Sequence, residues 1–264
     1  MNLSTERWVA LSSHERDETA RRVAQQLPAG FSFQGVQQHP PSDFRHPLAV
    51  YETTDATFVL IPGGPVTLGF DASRPFEPNP DELQSWQDTA DEYGINKTLH
   101  EFVVEVTLRP RCVELPPLLV ETSARRVGTG SHAAVAARGF RYPTSDEWEY
   151  FCGAGAPTLF RWGDHVPCDR YPIDERVPPY WNAHRQANAL GLLIASNPYD
   201  CELTAEVGVT RGGDGGSMIC GGAGFYVGWL TLATAYFEDH ACRYDPFEQT
   251  TEGYTIGRRV LELR

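Results

Sequence analysis

The 264-residue chain lacks the long apolar run that a membrane-spanning helix needs, which is roughly 20 residues. Its first residues include Glu6 and Arg7 and contain no apolar stretch of the kind found in a secretory signal. These two absences predict a cytoplasmic protein with no membrane partner.

Basic residues are scarce as well. Lys and Arg number 22 against 35 Asp and Glu, which gives a formal net charge of −13. The densest basic spots are the pairs Arg125-Arg126 and Arg258-Arg259. Binding to a nucleic-acid backbone depends on a cationic surface. We therefore expect no nucleic-acid partner.

The six cysteines form no C-x-x-C pair, which argues against a zinc-ribbon site. The chain also lacks a P-loop, a G-x-S-x-G elbow and an H-E-x-x-H motif. Without a secretory signal the thiols are expected to stay reduced, and the default place of each is the core.

Glycine and proline are abundant, at 24 and 20 residues, and favour a loop-rich fold over long helices. Residues 1 to about 30 are predicted to be helical, and residues 35–47 to be a linker. The predicted division is thus an N-terminal helical extension with its linker at 1–47 and a main domain at 48–264. Apolar patterns in the main domain predict strands at 49–52, a hairpin from 58 to 70, and further strands at 99–108, 115–121, 206–210, 225–236 and 254–263.

The strongest local signal lies at residues 141–164. Thr144 and Glu147 have the spacing of a capping box, in which each side chain bonds the main chain of the other residue. This predicts a helix that ends near Gly153 and Gly155, followed by an aromatic strand at 160–164. Two more helices are predicted, from Pro80 to Gly94 and over 131–138.

The same stretch carries a family resemblance. R-Y-P-T-S-D-E-W-E-Y at 141–150, followed by F-R-W-G-D, resembles the R-L-P-T-E-A-E-W-E-Y … W-G-D signature of the formylglycine-generating enzyme superfamily, the sulfatase-modifying factors. Weaker matches occur in the same order at 58–69, 188–192, 211–217 and 256–260. The resemblance implies an α+β, elaborated C-type-lectin-like domain with short strands, few helices and long loops.

In that family two cysteines, in G-G-S-x-x-C-x-x-x-x-C, bind Cu(I), a metal that soft thiolates suit. Residues 215–220 match the first half and make Ser217 and Cys220 candidate catalytic residues, but Phe225 stands where the second cysteine would be. The resemblance therefore implies Cu(I) only if another ligand joins Cys220. Candidates for that ligand are Cys201, Cys242 and Met218, and the plainer alternative is that Cys220 is a buried structural residue on a strand.

Two functions stay open, and with them the question of whether the chain is an enzyme. One is binding of a peptide or small ligand in the family groove, with Cys220 at its floor and His184, Trp181 and Arg211 along it. The other is oxidation of a thiol substrate by Cys220 with a replacement metal ligand. The oligomeric state is not predicted.

Two weaker hypotheses concern other ligands. Asn197, Asp200 and Glu202 follow the N-x-x-G-L match where the family binds a structural Ca²⁺, and they offer suitable oxygens at an altered spacing, so a solvated loop is the alternative. The stretch from Gly128 to Ala133 fits G-x-G-x-x-A, a remote indication of dinucleotide binding that would need a βαβ unit around it.

Overall fold

The computed structural model describes residues 3–37, 47–74, 76–128, 130–174, 181–237 and 253–263. Over this part the chain is α+β, with short helices around three mostly antiparallel sheets. The strands are β1 (Ser32–Gln37), β2 (Leu48–Glu52), β3 (Thr57–Ile61), β4 (Gly64–Leu68), β5 (Arg111–Leu115), β6 (Leu118–Glu121), β7 (Arg125–Arg126), β8 (Cys201–Leu203), β9 (Thr210–Gly212), β10 (Thr255–Gly257) and β11 (Val260–Glu262). The helices are α1 (Thr5–Ala10), α2 (Ser13–Ala24), α3 (Pro80–Tyr93), α4 (Leu99–Glu105), α5 (Ser131–Ala136), α6 (Ser145–Gly153), α7 (Ser217–Cys220) and α8 (Phe225–Leu230).

The largest sheet has the strand order β1-β2-β3-β6-β11 and is antiparallel throughout. Successive side chains of a strand point to opposite faces, and both faces of this sheet are apolar. Val59 and Val120 face the main core with α6 and α8. Phe58 and Leu119 face a second core that α1 and α2 cover.

The N-terminal segment is built into this sheet. The Tyr51 hydroxyl donates to Ala20 O at 2.9 Å, and the fully buried Trp8 indole donates to Pro47 O at 2.7 Å. β1 also pairs with β2. The predicted division at residue 47 therefore falls between two strands that are hydrogen-bonded to each other.

We call residues 141–164 the opening motif. The helix at its centre is confirmed, together with its capping box. Glu147 N donates to Thr144 Oγ1 at 3.1 Å, and Thr144 N donates to Glu147 Oε2 at 2.8 Å. The helix ends at Ala154, which takes the left-handed conformation. The strand predicted at 160–164 is wrong. Phe160 and Gly163 bond each other across a tight turn, and the Asp164 carboxylate holds that turn through Leu159 N.

The strands predicted at 99–108, 206–210 and 225–236 are wrong over most of their length. Residues 99–105 are α4, which Thr98 and Glu101 begin with a capping box, and 225–230 are α8. Residues 206–209 form the turn between β8 and β9. β3 and β4 exist but do not pair, because Gly63 bonds Leu3 and Thr5 in the N-terminal segment and β4 turns away to pair with β5.

Several predictions were right. α3 begins at the Asn79 cap and ends at a left-handed Gly94, α5 spans most of the helix predicted at 131–138, and β2, β10 and β11 lie where expected. Pro116-Pro117 separates β5 from β6. Among the described helices, none has both the length and the apolar content to cross a membrane.

We expect Trp8→Ala to lower the free energy of unfolding by about 3–5 kcal/mol, because it empties a fully buried aromatic site. Chemical denaturation should still show one transition, since α1 and α2 share a core with the sheet. The matched control is Val9→Ala, because Val9 is adjacent to Trp8 in the chain but is 42% exposed. This substitution should change the free energy of unfolding by less than about 0.5 kcal/mol. A separate transition of the N-terminal segment at a lower denaturant concentration would contradict this view.

Candidate functional site

The interior of the site is organised by a buried carboxylate on α6. Glu149 is 3% exposed at its side chain and accepts from Gly69 N at 2.6 Å, from Arg111 Nη2 at 2.8 Å and from Arg211 Nη2 at 3.2 Å. It therefore joins β4, β5 and β9 to the helix of the opening motif.

Arg211 is the fully buried arginine partner of this carboxylate, and it lies in the interior rather than along a groove as predicted. Its side chain is 0% exposed and also donates to Ser145 Oγ and Thr234 O, both at 3.0 Å. Its guanidinium lies 5.1 Å from the centre of the Trp148 ring. With its donors turned to these internal partners, Arg211 fixes β9 and is not available to a surface ligand.

Beyond Arg211 the chain needs glycine. A Cβ built at Gly213 would lie 2.0 Å from Pro198 O, so a larger residue would force the two segments apart. Gly213 N donates to Asp200 O at 3.0 Å, and Asp214 N donates to Pro198 O at 2.9 Å. These bonds place residues 197–200 beside the start of α7.

α7 itself is held by Asp214, which sequence reasoning missed. The Asp214 carboxylate is buried and accepts from Gly216 N and Met218 N, both at 2.8 Å. Burial raises its pKa, and the amide donors offset only part of that rise. The Ser217 hydroxyl donates to Asp214 O at 3.0 Å, so this candidate catalytic hydroxyl serves the turn.

Cys220 lies at the end of α7 and is exposed, whereas a core position on a strand was the simplest expectation. Its sulfur is 3.1 Å from the Tyr199 hydroxyl. The Tyr199 ring crosses Gly216, where a Cβ would come within 2.1 Å of ring carbon Cε1. Gly216 also has a φ of +85°, which independently favours glycine.

Two further tyrosines contact the residues next to this thiol, Tyr254 at the Tyr199 ring and Tyr93 at Gly221. The ring of Tyr254, 42% exposed, lies 5.3 Å from the Tyr199 ring. Tyr93, 49% exposed, donates its hydroxyl to Gly221 O beside Cys220. We call Cys220, Tyr199, Tyr254 and Tyr93 the tyrosine–thiol site. It is an exposed nucleophile with aromatic surface around it.

The contact with the Cys220 sulfur is the largest cause that raises the pKa of Tyr199 to about 12, and partial burial and the Asp214 charge add to it. At neutral pH the phenol therefore keeps its proton. It can donate a hydrogen bond to the sulfur or to a group bound there.

The other predicted sulfur ligands do not join Cys220 in the described part of the chain. Cys201 is buried, and its thiol lies 3.4 Å from Gly213 O. Met218 packs against the main core, and Cys242 lies outside the described residues. Within the ranges that the structure describes, no group of three or more His, Cys, Asp and Glu side chains could hold a metal ion. Within the described residues, neither Cys201 nor Met218 is therefore shown as a second soft ligand beside Cys220.

His184 and Trp181 lie together, in an aromatic cluster with Trp162 and Trp229. The His184 ring stacks on Trp181 at 5.8 Å and meets Trp229 edge-on at 4.9 Å. Burial lowers the pKa of His184 to about 4, so the ring is neutral, and its Nε2 lies 3.0 Å from Pro172 O and 3.2 Å from Arg185 Nε. Trp229 belongs to α8, and Gly228 of the same helix faces the Ile219 side chain of α7.

Asn197, Asp200 and Glu202 do line one cavity of about 180 Å³, together with Trp148. One side-chain oxygen of each residue is already engaged, that of Asp200 by an ion pair rather than by a hydrogen bond. Asn197 Oδ1 accepts from Tyr199 N at 3.0 Å, Asp200 Oδ1 is 2.7 Å from Arg126 Nη2, and Glu202 Oε1 is 2.8 Å from Arg258 Nε.

The glycine pattern that begins at Gly128 does not have the setting of a dinucleotide site. β7 precedes it with two residues and pairs antiparallel with β10. α5 follows it with six residues. A βαβ unit needs parallel strands on both sides of the helix, so this hypothesis loses its structural basis.

Comparison with protein-family models, with curated proteins and with solved structures gives no match. The site therefore stands on its geometry and on the sequence resemblance. Tyr199 follows Pro198 in a loop and gives no sequence signal. Asp214 precedes Gly215-Gly216, a pattern typical of a turn closed by an aspartate side chain, and could have been found from it.

We expect Arg211→Met to lower the free energy of unfolding by about 3–5 kcal/mol, because one partner of a buried ion pair is removed. The double variant Arg211→Met with Glu149→Met should regain much of that loss, since the buried Glu149 charge is then removed as well and Arg111 keeps Asp146 as its partner. Lys97→Met, which removes an exposed pair with Glu105, is the control and should cost less than about 1 kcal/mol. Equal losses in the double and single variants, read by urea denaturation, would contradict the assignment.

Tyr199 should ionise near pH 12 in the native protein. In Cys220→Ala its pKa should fall toward the ordinary tyrosine value of about 10, because the largest cause of the rise is gone. Phenolate absorbance during alkaline titration measures this, and subtraction of a Tyr199→Phe titration isolates the step. An unchanged Tyr199 pKa in Cys220→Ala would show that the sulfur contact is absent in solution.

Proposed function

We propose that this chain is a divergent member of the formylglycine-generating enzyme superfamily that binds a cysteine-containing peptide at the tyrosine–thiol site. The observation that carries the proposal is the exposed Cys220 thiol, 3.1 Å from the Tyr199 hydroxyl. Formylglycine generation by a copper cysteine pair is not part of the proposal, because Phe225 begins α8 where the second thiol would be.

The family assignment is supported by contacts between the segments that carry the resemblance. Glu149 of the opening motif bonds Arg211. Asn188 Nδ2 donates to Phe151 O at 2.5 Å at the end of α6. A Cβ at Gly257 would lie 2.5 Å from the Tyr142 ring. Segments that belong to one conserved architecture would be expected to meet in this way.

The chemistry of the site suits a peptide thiol or disulfide. A cysteine thiolate attacks one sulfur of a disulfide and forms a mixed disulfide, while the S–S bond breaks and the other sulfur leaves as a thiolate that solvent can protonate. The Tyr199 hydroxyl can donate to a sulfur or carbonyl oxygen of the peptide. The tyrosine rings offer apolar surface with polar edges, a combination common at recognition surfaces.

The oxidative alternative needs a second soft ligand for Cu(I). The group closest to Cys220 is a phenol, which is a harder donor than a thiolate. A Cu(I) titration tests this alternative. One equivalent of copper bound by the wild type but not by Cys220→Ser, together with oxygen uptake in the presence of a thiol peptide, would replace the binding proposal with an oxidative enzyme.

The proposal is tested by the reaction of Cys220 with a peptide disulfide. Cys112 on β5 serves as the control thiol, because it is also exposed. The probe is a capped cysteine tripeptide carried as its thiopyridyl disulfide, and attack by a protein thiol releases thiopyridone. We expect Cys112→Ser, which keeps Cys220, to react at least ~10-fold faster than Cys220→Ser, a difference of about 1.4 kcal/mol in activation free energy.

The rate in Cys112→Ser should also saturate with probe concentration, and Tyr199→Phe should slow it. Mass mapping of the attached peptide identifies the modified thiol. Equal, unsaturated rates for the two cysteine variants would mean that Cys220 has no binding site around it and would overturn the proposal.

A further inference from the structure

The loop at residues 193–202 collects several oxygen atoms of the kind that calcium prefers, but arginines already hold them. Arg258 lies in the two-residue break between β10 and β11, and its side chain is 0% exposed. Its three nitrogens donate to three oxygens: Nε to Glu202 Oε1 at 2.8 Å, Nη1 to Glu121 O at 2.5 Å and Nη2 to Leu193 O at 2.7 Å. One carboxylate and two carbonyls are a donor set typical of a calcium ion.

Arg126 lines the cavity of about 180 Å³ that Asn197, Asp200 and Glu202 also line. Its Nη2 lies 2.7 Å from Asp200 Oδ1, and its side chain is 53% exposed. Asp200 N donates to Asn197 O at 3.1 Å, and Asn197 Oδ1 accepts from Tyr199 N. Residues 197–200 therefore form a hydrogen-bonded turn, and Arg126 pairs with the carboxylate of Asp200 at its end.

The charges of this cavity balance without a metal. Asp200 and Glu202 line the cavity and supply two negative charges. Arg126, which also lines it, pairs with Asp200, and Arg258, which lies behind the lining, pairs with Glu202, so the two carboxylates are matched by two positive charges. A divalent cation in a space of about 180 Å³ would add two uncompensated charges beside two guanidiniums. Because burial makes unpaired charge costly, that arrangement is disfavoured.

We propose that Arg126 and Arg258 take the structural place of a calcium ion in this chain, so that the loop at 193–202 is held by guanidiniums and binds no calcium. Arg258 is the interior cation and fixes the loop to β6 and β8. Arg126 is the outer cation, and its removal frees the Asp200 carboxylate at the mouth of the cavity. A latent cation site should then appear, built from oxygens of Asp200 and its neighbours Asn197 and Ser196.

Terbium serves as the probe, because it binds oxygen sites in place of calcium and is excited by energy transfer from a nearby indole. Trp148 lines the same cavity. The wild-type protein should show no sensitised terbium emission, and its Tm should be equal in calcium and in a chelator. Arg126→Ala should gain emission that calcium displaces, with an affinity of about 10⁻⁴–10⁻³ M and a rise in Tm of ~2–4 °C at saturating calcium.

The matched control is Arg125→Ala on the same strand, whose guanidinium pairs with Glu121 and Asp55 instead of the cavity. Arg125→Ala should show no sensitised terbium emission. Adding Asp200→Asn to Arg126→Ala should abolish the emission that Arg126→Ala gains. Stoichiometric calcium binding by the wild type would overturn the proposal. So would an Arg126→Ala protein that folds but gains no terbium emission, because the guanidinium would then not stand in for a cation.

Discussion

The buried ion pair of Glu149 and Arg211 is the contact on which the rest of the structure depends. Both side chains are almost wholly withdrawn from water, at 3% and 0% exposure. Such burial is costly unless every remaining donor and acceptor finds a partner. Glu149 accepts from Arg111 and Gly69 N, and the two terminal nitrogens of Arg211 donate to Ser145 and Thr234 O. These bonds offset most of the cost of burial, although Arg211 Nε has no hydrogen-bond partner within the described part of the chain. The pair therefore specifies how α6 meets β4, β5 and β9.

The surface site follows from this interior arrangement. β9 runs from Arg211 into glycines that allow residues 197–200 to come alongside, and Asp214 then starts α7. Tyr199 and Cys220 meet because each belongs to one of these two adjoining segments. Arg126 holds Asp200 of the first segment from its other side, and Arg258 holds Leu193 and Glu202 before and after it. The Cys220 thiol at the end of α7 thus meets a loop that a buried scaffold positions, and loops positioned in this way commonly carry functional residues.

Local signals predicted the elements that local chemistry decides. Capping boxes at Thr144 and Asn79 gave the starts of α6 and α3 correctly, because their hydrogen bonds lie within four residues. The prediction failed for α4 because its apolar pattern outweighed the capping box of Thr98 and Glu101. It failed for α8 because that helix has no side-chain cap and its apolar pattern fits a strand and a helix equally well until packing decides. Arg211 was placed in a groove because nothing near it in sequence shows that its partner is Glu149, 62 residues away.

Hydrogen exchange in a folded Glu149→Gln variant tests most directly whether the buried pair holds the surface site. If it does, amides in residues 210–220, including Gly216 and Met218 that Asp214 binds, should exchange faster than in the wild type. Amides of β3 and α3, which Glu149 does not contact, should keep their protection. Unchanged exchange at 210–220, or an equal loss of protection in all elements, would contradict the account.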